Sequence, residues 1–245
     1  MEAFADLPDA LVRDLLAKAL PVAEGVSQNL KALRDAHALL HSEARNHGLI
    51  CRKADLDVPR EPSVVGVDGS YQVHRLTALD LCAAAAVAVE GTSKEAIRYW
   101  PEPYHDMWVD GLPHRADTVG VLRGMMVSME MSLAAKAPHD IVLLDGSFSS
   151  IVIYLNQALT KVDDSPKTLV DHFLGRWEGG MLEQLKGLLA SDRTVAMPKF
   201  TSRNELLRGN MLNPPVTIDG KTLATMILNP GEYTRPLLLH DDTDP

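Results

Sequence analysis

The chain has little cysteine, no long apolar run and no excess of positive charge, and each shortage removes a class of protein. Only Cys51 and Cys82 occur among 245 residues, and they form no C-x-x-C unit, so neither a zinc site nor a disulfide framework is indicated. No stretch of 18 or more apolar residues is present; the longest, Leu81 to Val89, is far too short to span a bilayer. The start, Met1-Glu2-Ala3-Phe4-Ala5-Asp6, is acidic and lacks a basic region ahead of an apolar stretch, which is not the pattern of a secretory signal. These features predict a cytoplasmic protein with reduced thiols and no membrane partner. Lys and Arg total 24 against 33 Asp and Glu, a net charge of −9 with a pI near 5.4. That balance argues against broad nonspecific nucleic-acid binding, which rests on clustered basic residues, but leaves room for a narrow basic channel. Part of the excess sits in the tail Asp241-Asp242-Thr243-Asp244, read as solvated.

What is present is more telling. Hydrophobic residues make up 46% of the chain, which suits one globular domain, or a domain with a helical appendage, whose core needs no staples. Two strings, Val64-Val65-Gly66-Val67-Asp68-Gly69-Ser70 and Ile141-Val142-Leu143-Leu144-Asp145-Gly146-Ser147, each run apolar and end in Asp-Gly-Ser. Continuous Val/Ile/Leu runs mark buried strands, and the glycine permits a sharp exit from the sheet. If the two strands are neighbours, Asp68 and Asp145 meet at adjacent strand ends although 77 positions separate them. Carboxylates so placed repel, and a divalent cation is the usual remedy. The plainer account is that each Asp caps a turn, where Asp-Gly is common.

Residues 8–51 carry helical spacing, with Leu11, Leu15 and Leu16 in one stripe and Leu30, Leu33, Ala36 and Leu40 in another. The expectation is a helix, a break at Pro21, and a longer helix ending near Asn46-His47-Gly48. A stripe of this kind serves to pack an arm on its own domain or on a partner. After the strand at 64–68, residues 76–89 are Ala-rich, which favours helix, but their position and partial alternation favour a hairpin strand. A third strand is expected over 95–100, before Pro101-Glu102-Pro103. The following loop holds His105, Asp106, Asp110 and His114, residue types that bind metal, although a solvated loop between prolines is the simpler reading. Val119, Leu122, Met126, Met129 and Leu133 define a helix over 116–137. Further helices are expected over 152–159, 169–189 and 219–228, and a short strand over 194–197. Strands first, then helices alternating with strands, predict an α/β fold with a mixed sheet flanked by helices and an N-terminal helical arm.

Glu130 lies at or near the apolar face of the 116–137 helix, fifteen positions before Asp145. A carboxylate there is costly unless paired or bound to a cation, or unless it sits at the boundary and reaches water. Asp68, Glu130 and Asp145 converging from two strand ends and a helix would suit two-metal phosphodiester chemistry with Mg²⁺ or Mn²⁺.

In order and spacing, V-V-G-V-D-G-S, the helix with Glu130, I-V-L-L-D-G-S-F, V-A-M-P-K-F-T-S and I-D-G-K-T-L-A-T-M-I-L-N-P-G-E-Y-T-R-P resemble the NurA nuclease family, from about Val64 to Pro236. The resemblance implies a ribonuclease H-like core over 61–245 behind a helical region at 1–60. It further implies a manganese-dependent DNA nuclease with two ions, Mn²⁺ or Mg²⁺, and a homodimer partnered by a HerA-type hexameric ATPase in DNA end processing or phage defence. Carried over by position, Asp68 bridges the cations, Asp145 ligates from the adjacent strand and Glu130 from the helix. Asp219 completes the site or simply caps the last helix. Lys199 faces the scissile phosphate, or is an ordinary lysine at a strand end. Ser70 and Ser147 would donate to phosphate or orient the carboxylates, and Arg203 would hold the DNA backbone. Members of the family usually continue beyond the position of Pro236, whereas this chain stops at Pro245, and His240 is no convincing replacement for what that segment supplies.

Two other readings remain at this level. One is a catalytically impaired NurA-like scaffold subunit of an ATPase complex, motivated by the short C-terminus and acidic surface. The other is an actin-like or sugar-kinase phosphotransferase, which also uses Asp-Gly-Ser/Thr turns; it is disfavoured by the missing late Gly-rich pattern and by a chain too short for two lobes.

Overall fold

A computed structural model describes residues 8–57, 60–91, 97–198 and 212–236. In chain order the elements are α1 (Asp9–Asp35), α2 (His37–Asn46), β1 (Ile50–Arg52), β2 (Val64–Arg75), β3 (Asp80–Glu90), β4 (Tyr104–Leu112), α3 (Thr118–Lys136), β5 (Ile141–Asp145), α4 (Phe148–Leu159), α5 (Lys167–Arg176), α6 (Leu182–Leu189), β6 (Thr194–Met197), α7 (Gly220–Ile227) and β7 (Glu232–Thr234). They form two compact units: Pro59–Lys199, and Met1–Val58 together with Phe200–Pro245. The described elements α7 and β7 group with α1 and α2 in one of these units.

In the second of these units, Leu40, Ala44 and Leu49 pack with Leu212, Leu223 and Ile227. β1 and β7 pair antiparallel with Ile50 opposite Thr234. The helix break expected at Pro21 does not occur; α1 runs through it, and the chain breaks instead at Ala36. Proline removes one intrahelical bond, but this part of α1 is exposed, so water can satisfy the freed carbonyl. Of the expected stripes, Leu33 and Leu40 are buried, while Leu11, Leu15, Leu16 and Leu30 are exposed.

The unit Pro59–Lys199 is built on a five-stranded mixed sheet of order β4-β3-β2-β5-β6. β2, β3 and β4 form an antiparallel meander, and β5 and β6 join parallel to β2. This is the expected α/β, ribonuclease H-like arrangement. α3 is the hub. It is buried nearly all round, with Leu122, Met125, Met129 and Leu133 in one core with Val65, Val67, Ala84, Val142 and Leu144 of the sheet and Ile151, Leu155 and Phe173 of α4 and α5. Strand alternation sends Val65 and Val67 of β2 and Val142 and Leu144 of β5 into that core, and the intervening residues to the opposite face. That opposite face leaves Val87, Val89, Met107, Val109, Val195 and Met197 exposed.

Other expectations shift in detail. The Ala-rich segment is a strand, and β2 extends seven residues past Asp68 to make a long hairpin with it. Residues 97–103 are not a strand; the third strand is β4, which takes in His105, Asp106 and Asp110 rather than leaving them in a loop. The helix expected over 169–189 is α5 and α6 separated by a looser turn, Trp177–Met181, where Gly180 has φ 95°.

Candidate active site at the end of strands β2 and β5

The register of β2 on β5 places the two aspartates. Their parallel pairing runs from Val64 opposite Ile141 to Val67 opposite Leu144, so Asp68 and Asp145 occupy the next step, just where the pairing ends. Neighbouring strands lie about 5 Å apart. Asp145 is in turn opposite Met197 of β6. The register is fixed at the other end of the strands by Asp140, whose Oδ2 accepts bonds from the Ser63 backbone N–H and Oγ, each at 2.9 Å. Its own N–H donates to Ser63 Oγ at 2.9 Å, and Arg60 donates to its Oδ1 at 2.7 Å. The Ser63 donors, with Arg60, hold the Asp140 carboxyl below its ordinary value.

After Asp145 the chain turns sharply at Gly146, φ 81°, and Ser147 starts α4. Asp68 is exposed and Asp145 half-buried. Glu130 reaches β2 from α3, only 6% exposed. Its approach depends on Gly69: a Cβ there would stand 2.6 Å from Glu130 Oε1. The Glu130 carboxyl therefore occupies the space that a side chain at the residue after Asp68 would fill. Asp68 and Asp145 thus end the pairing on the sheet face turned away from α3, and Glu130 approaches the same strand end from the α3 face. Among the described residues no three His, Cys, Asp or Glu side chains stand close enough together to hold an ion as they are. The donor set is all carboxylate oxygen, the chemistry that Mg²⁺ and Mn²⁺ prefer, and the glycine cradle admits one of the donors.

Ser70 lies on β2 beside this strand end and borders concavities on either side of it. Ser147 caps α4, its Oγ accepting from the Ser150 N–H at 3.1 Å. Asp219 belongs to the other unit, where it caps α7; Oδ1 accepts from the Thr222 N–H at 2.9 Å and Oδ2 from its hydroxyl at 2.7 Å. These bonds lower its carboxyl from the ordinary value. Lys199 and Arg203 lie outside the described residues, as does His240. His114 pairs with the buried Asp80 at 2.9 Å, at the far end of the hairpin.

Sequence reasoning missed Arg123, Tyr71 and Tyr154, which cluster beside Gly69. The available signal was the seven-residue interval from Arg123 to Glu130, two turns along one helix face.

No protein-family model and no curated protein matches the sequence. Among solved structures, the chain is similar to the NurA nuclease from Sulfolobus solfataricus, with a TM-score of 0.54 and 13% identity over 89% of this chain and 66% of that one. A further NurA structure has a TM-score of 0.39 and 15% identity over 74% of this chain and 42% of that one. A NurA bound to dAMP and manganese has a TM-score of 0.37 and 14% identity over 71% and 42%. The chain spans less than two thirds of the length of these proteins. At such identity the likeness is one of architecture: the chain has a NurA-like α/β fold.

Proposed function

We propose that this protein is a metal-dependent DNA nuclease that hydrolyses phosphodiester bonds at the β2/β5 strand end. The observation that carries the reading is the register that aligns Asp68 with Asp145 while Glu130 fills the cradle at Gly69. In this reading Asp68 and Asp145 hold two Mn²⁺ or Mg²⁺ ions from the strand ends, and Glu130 ligates from the helix side. Such ions lower the pKa of an attacking water and offset charge on the leaving oxygen. Ser70 orients the substrate phosphate, Ser147 supports the turn after Asp145, and Lys199 supplies a point charge to the scissile phosphate. Arg203 contacts the DNA backbone, and Asp219 supplies a further acidic group.

The fold likeness and the motif order support a homodimer working with a HerA-type hexameric ATPase in DNA end processing or phage defence. They also support a nuclease domain over 61–245 that follows a helical region at 1–60. A cytoplasmic location is part of the same proposal; no described helix is long and apolar enough to cross a membrane.

Purified protein incubated with linear single- and double-stranded DNA and Mn²⁺ is expected to shorten both or one of them, and Asp68→Ala is expected not to. Wild type and variant giving the same products, or the same absence of products, refutes the assignment.

A further inference from the structure

Arg123 stands on α3, two helical turns before Glu130 and on the same face. Its Nε and Nη2 both donate to the Tyr71 hydroxyl, at 3.1 and 2.7 Å. The guanidinium carbon lies 5.4 Å from the centre of the Tyr71 ring and 4.9 Å from that of Tyr154. A phenol and two rings orient a guanidinium, but none of them neutralises its charge. The same three residues, with Gly69, Ser70 and Met126, line an open concavity of about 340 Å³. One wall of it is the strand that carries Asp68, and the other is the helix that carries Glu130. Two of the five guanidinium donors are used by Tyr71, and among the described residues the other three are open to a ligand.

The setting specifies the ligand. In a chain of net charge −9, a cation held rigid by a phenol hydroxyl and open to a concavity is a place for an anion. A planar guanidinium fork matches two oxygens of a phosphate. Arg123 precedes Glu130 by seven residues along α3, about 10 Å at helical rise, or roughly three stacked nucleotides at 3.4 Å each. We infer that Arg123, held by Tyr71 and Tyr154, clamps a backbone phosphate of the DNA strand a few nucleotides from the bond that is cut. The inference rests on the nuclease reading and adds to it a residue that positions substrate.

Anisotropy of a fluorescein-labelled 20-nucleotide single-stranded DNA, titrated with the full chain in EDTA over a series of salt concentrations, tests the clamp. Arg123→Gln is expected to weaken binding about tenfold and to reduce the slope of log K against log salt by about 0.7, the loss of one phosphate contact. Arg123→Lys keeps the charge and therefore the slope, while binding more weakly than wild type because the fork is gone. In Mn²⁺-dependent cleavage, Arg123→Gln raises KM with little change in kcat. Equal losses in both variants, tracking a fall in melting temperature, would mean that Arg123 only ties β2 to the helices, and would overturn the clamp. Asp68-dependent cleavage with an unchanged slope and KM in Arg123→Gln removes the clamp alone. A wild-type chain that neither binds nor cuts the DNA removes the clamp and the nuclease reading together.

Discussion

One added methyl group at Gly69 separates a Glu130 that works at the strand end from one that merely fills space in the core. The ideal Cβ of Gly69→Ala would stand 2.6 Å from Glu130 Oε1, 2.9 Å from Met126 Cγ and 3.0 Å from Glu130 Cγ. Ordinary contact begins near 3.4 Å, so the carboxyl must retreat by about 0.8 Å, the difference between 3.4 and 2.6 Å. A misplacement near 1 Å costs on the order of 10²-fold in rate when the displaced group takes part in the chemistry. The effect on stability is smaller. Overpacking costs about 1–3 kcal/mol, and the stiffer unfolded chain returns about 0.4–1 kcal/mol. The net loss is therefore at most about 2.6 kcal/mol, a fall in Tm of no more than roughly 10 °C for a chain of this size. The assay pairs a thermal melt with cleavage of a labelled oligonucleotide in Mn²⁺, at a temperature where both proteins are folded. A variant whose Tm falls as expected but whose kcat/KM stays within about threefold of wild type refutes a ligating Glu130, provided Asp68→Ala is inactive in the same assay.

Two further outcomes follow from the same geometry. Asp140→Ala removes the acceptor that pins β2 to β5 at Ser63, so Tm and Mn²⁺-dependent cleavage are expected to fall together; unchanged cleavage in a variant with lowered Tm would show that the register is held without it. In the other unit, the Asn229 backbone N–H and then His41 hold Glu232 down from 4.5 to about 2, against a smaller opposing effect of burial. A depressed carboxylate stabilises the fold at pH above 4.5, and that contribution is lost as pH falls toward 2. The stability difference between wild type and Glu232→Gln, read by chemical unfolding, is therefore expected to shrink across that window, and a difference that stays constant from pH 6 to 2 refutes the linkage.

The strands that carry the candidate site were legible because their burial makes them nearly uniform: Val64 to Val67 and Ile141 to Leu144 leave little choice of element. α7 was legible from Asp219, a capping residue at the head of a short apolar pattern, and the structure uses it that way. β3 was ambiguous because Ala83 to Ala86 favour helix by intrinsic preference, and pairing with β2 along the whole hairpin overrides that preference. β4 escaped because it is an edge strand. Its His105, Met107 and Val109 are exposed and its Asp106 is tied to Arg176 at 2.6 Å, so the polar and apolar residues do not sort onto a wet and a dry face. Pro21 misled because a proline breaks a helix only where the lost bond cannot be replaced by water. Glu130 was identifiable from its place in an apolar helix. For Arg123 the seven-residue interval to Glu130 gave only a shared helix face, since its role depends on Tyr71 and Tyr154, which lie 52 and 31 positions away in sequence.

The site and the clamp share one cause, the unequal length of β2 and β5. β2 pairs with β3 as far as Arg75, but with β5 only as far as Val67. From Asp68 onward β2 therefore overhangs its parallel neighbour. At that step the parallel pairing stops while the antiparallel pairing with β3 continues, and ligands of open α/β sheets bind in crevices outside the carboxyl ends of the strands. Asp145 closes the short strand, Asp68 opens the overhang, and α3 lies against the overhang with Glu130 over Gly69 and Arg123 over Tyr71. Glu130 and Arg123 are thus spaced along that overhang by two turns of α3, about 10 Å. A strand of DNA laid along the α3 side of the overhang would meet first Glu130 and then the guanidinium. Extending β5 by even two residues would fill that notch and separate the carboxylates from the groups that serve them.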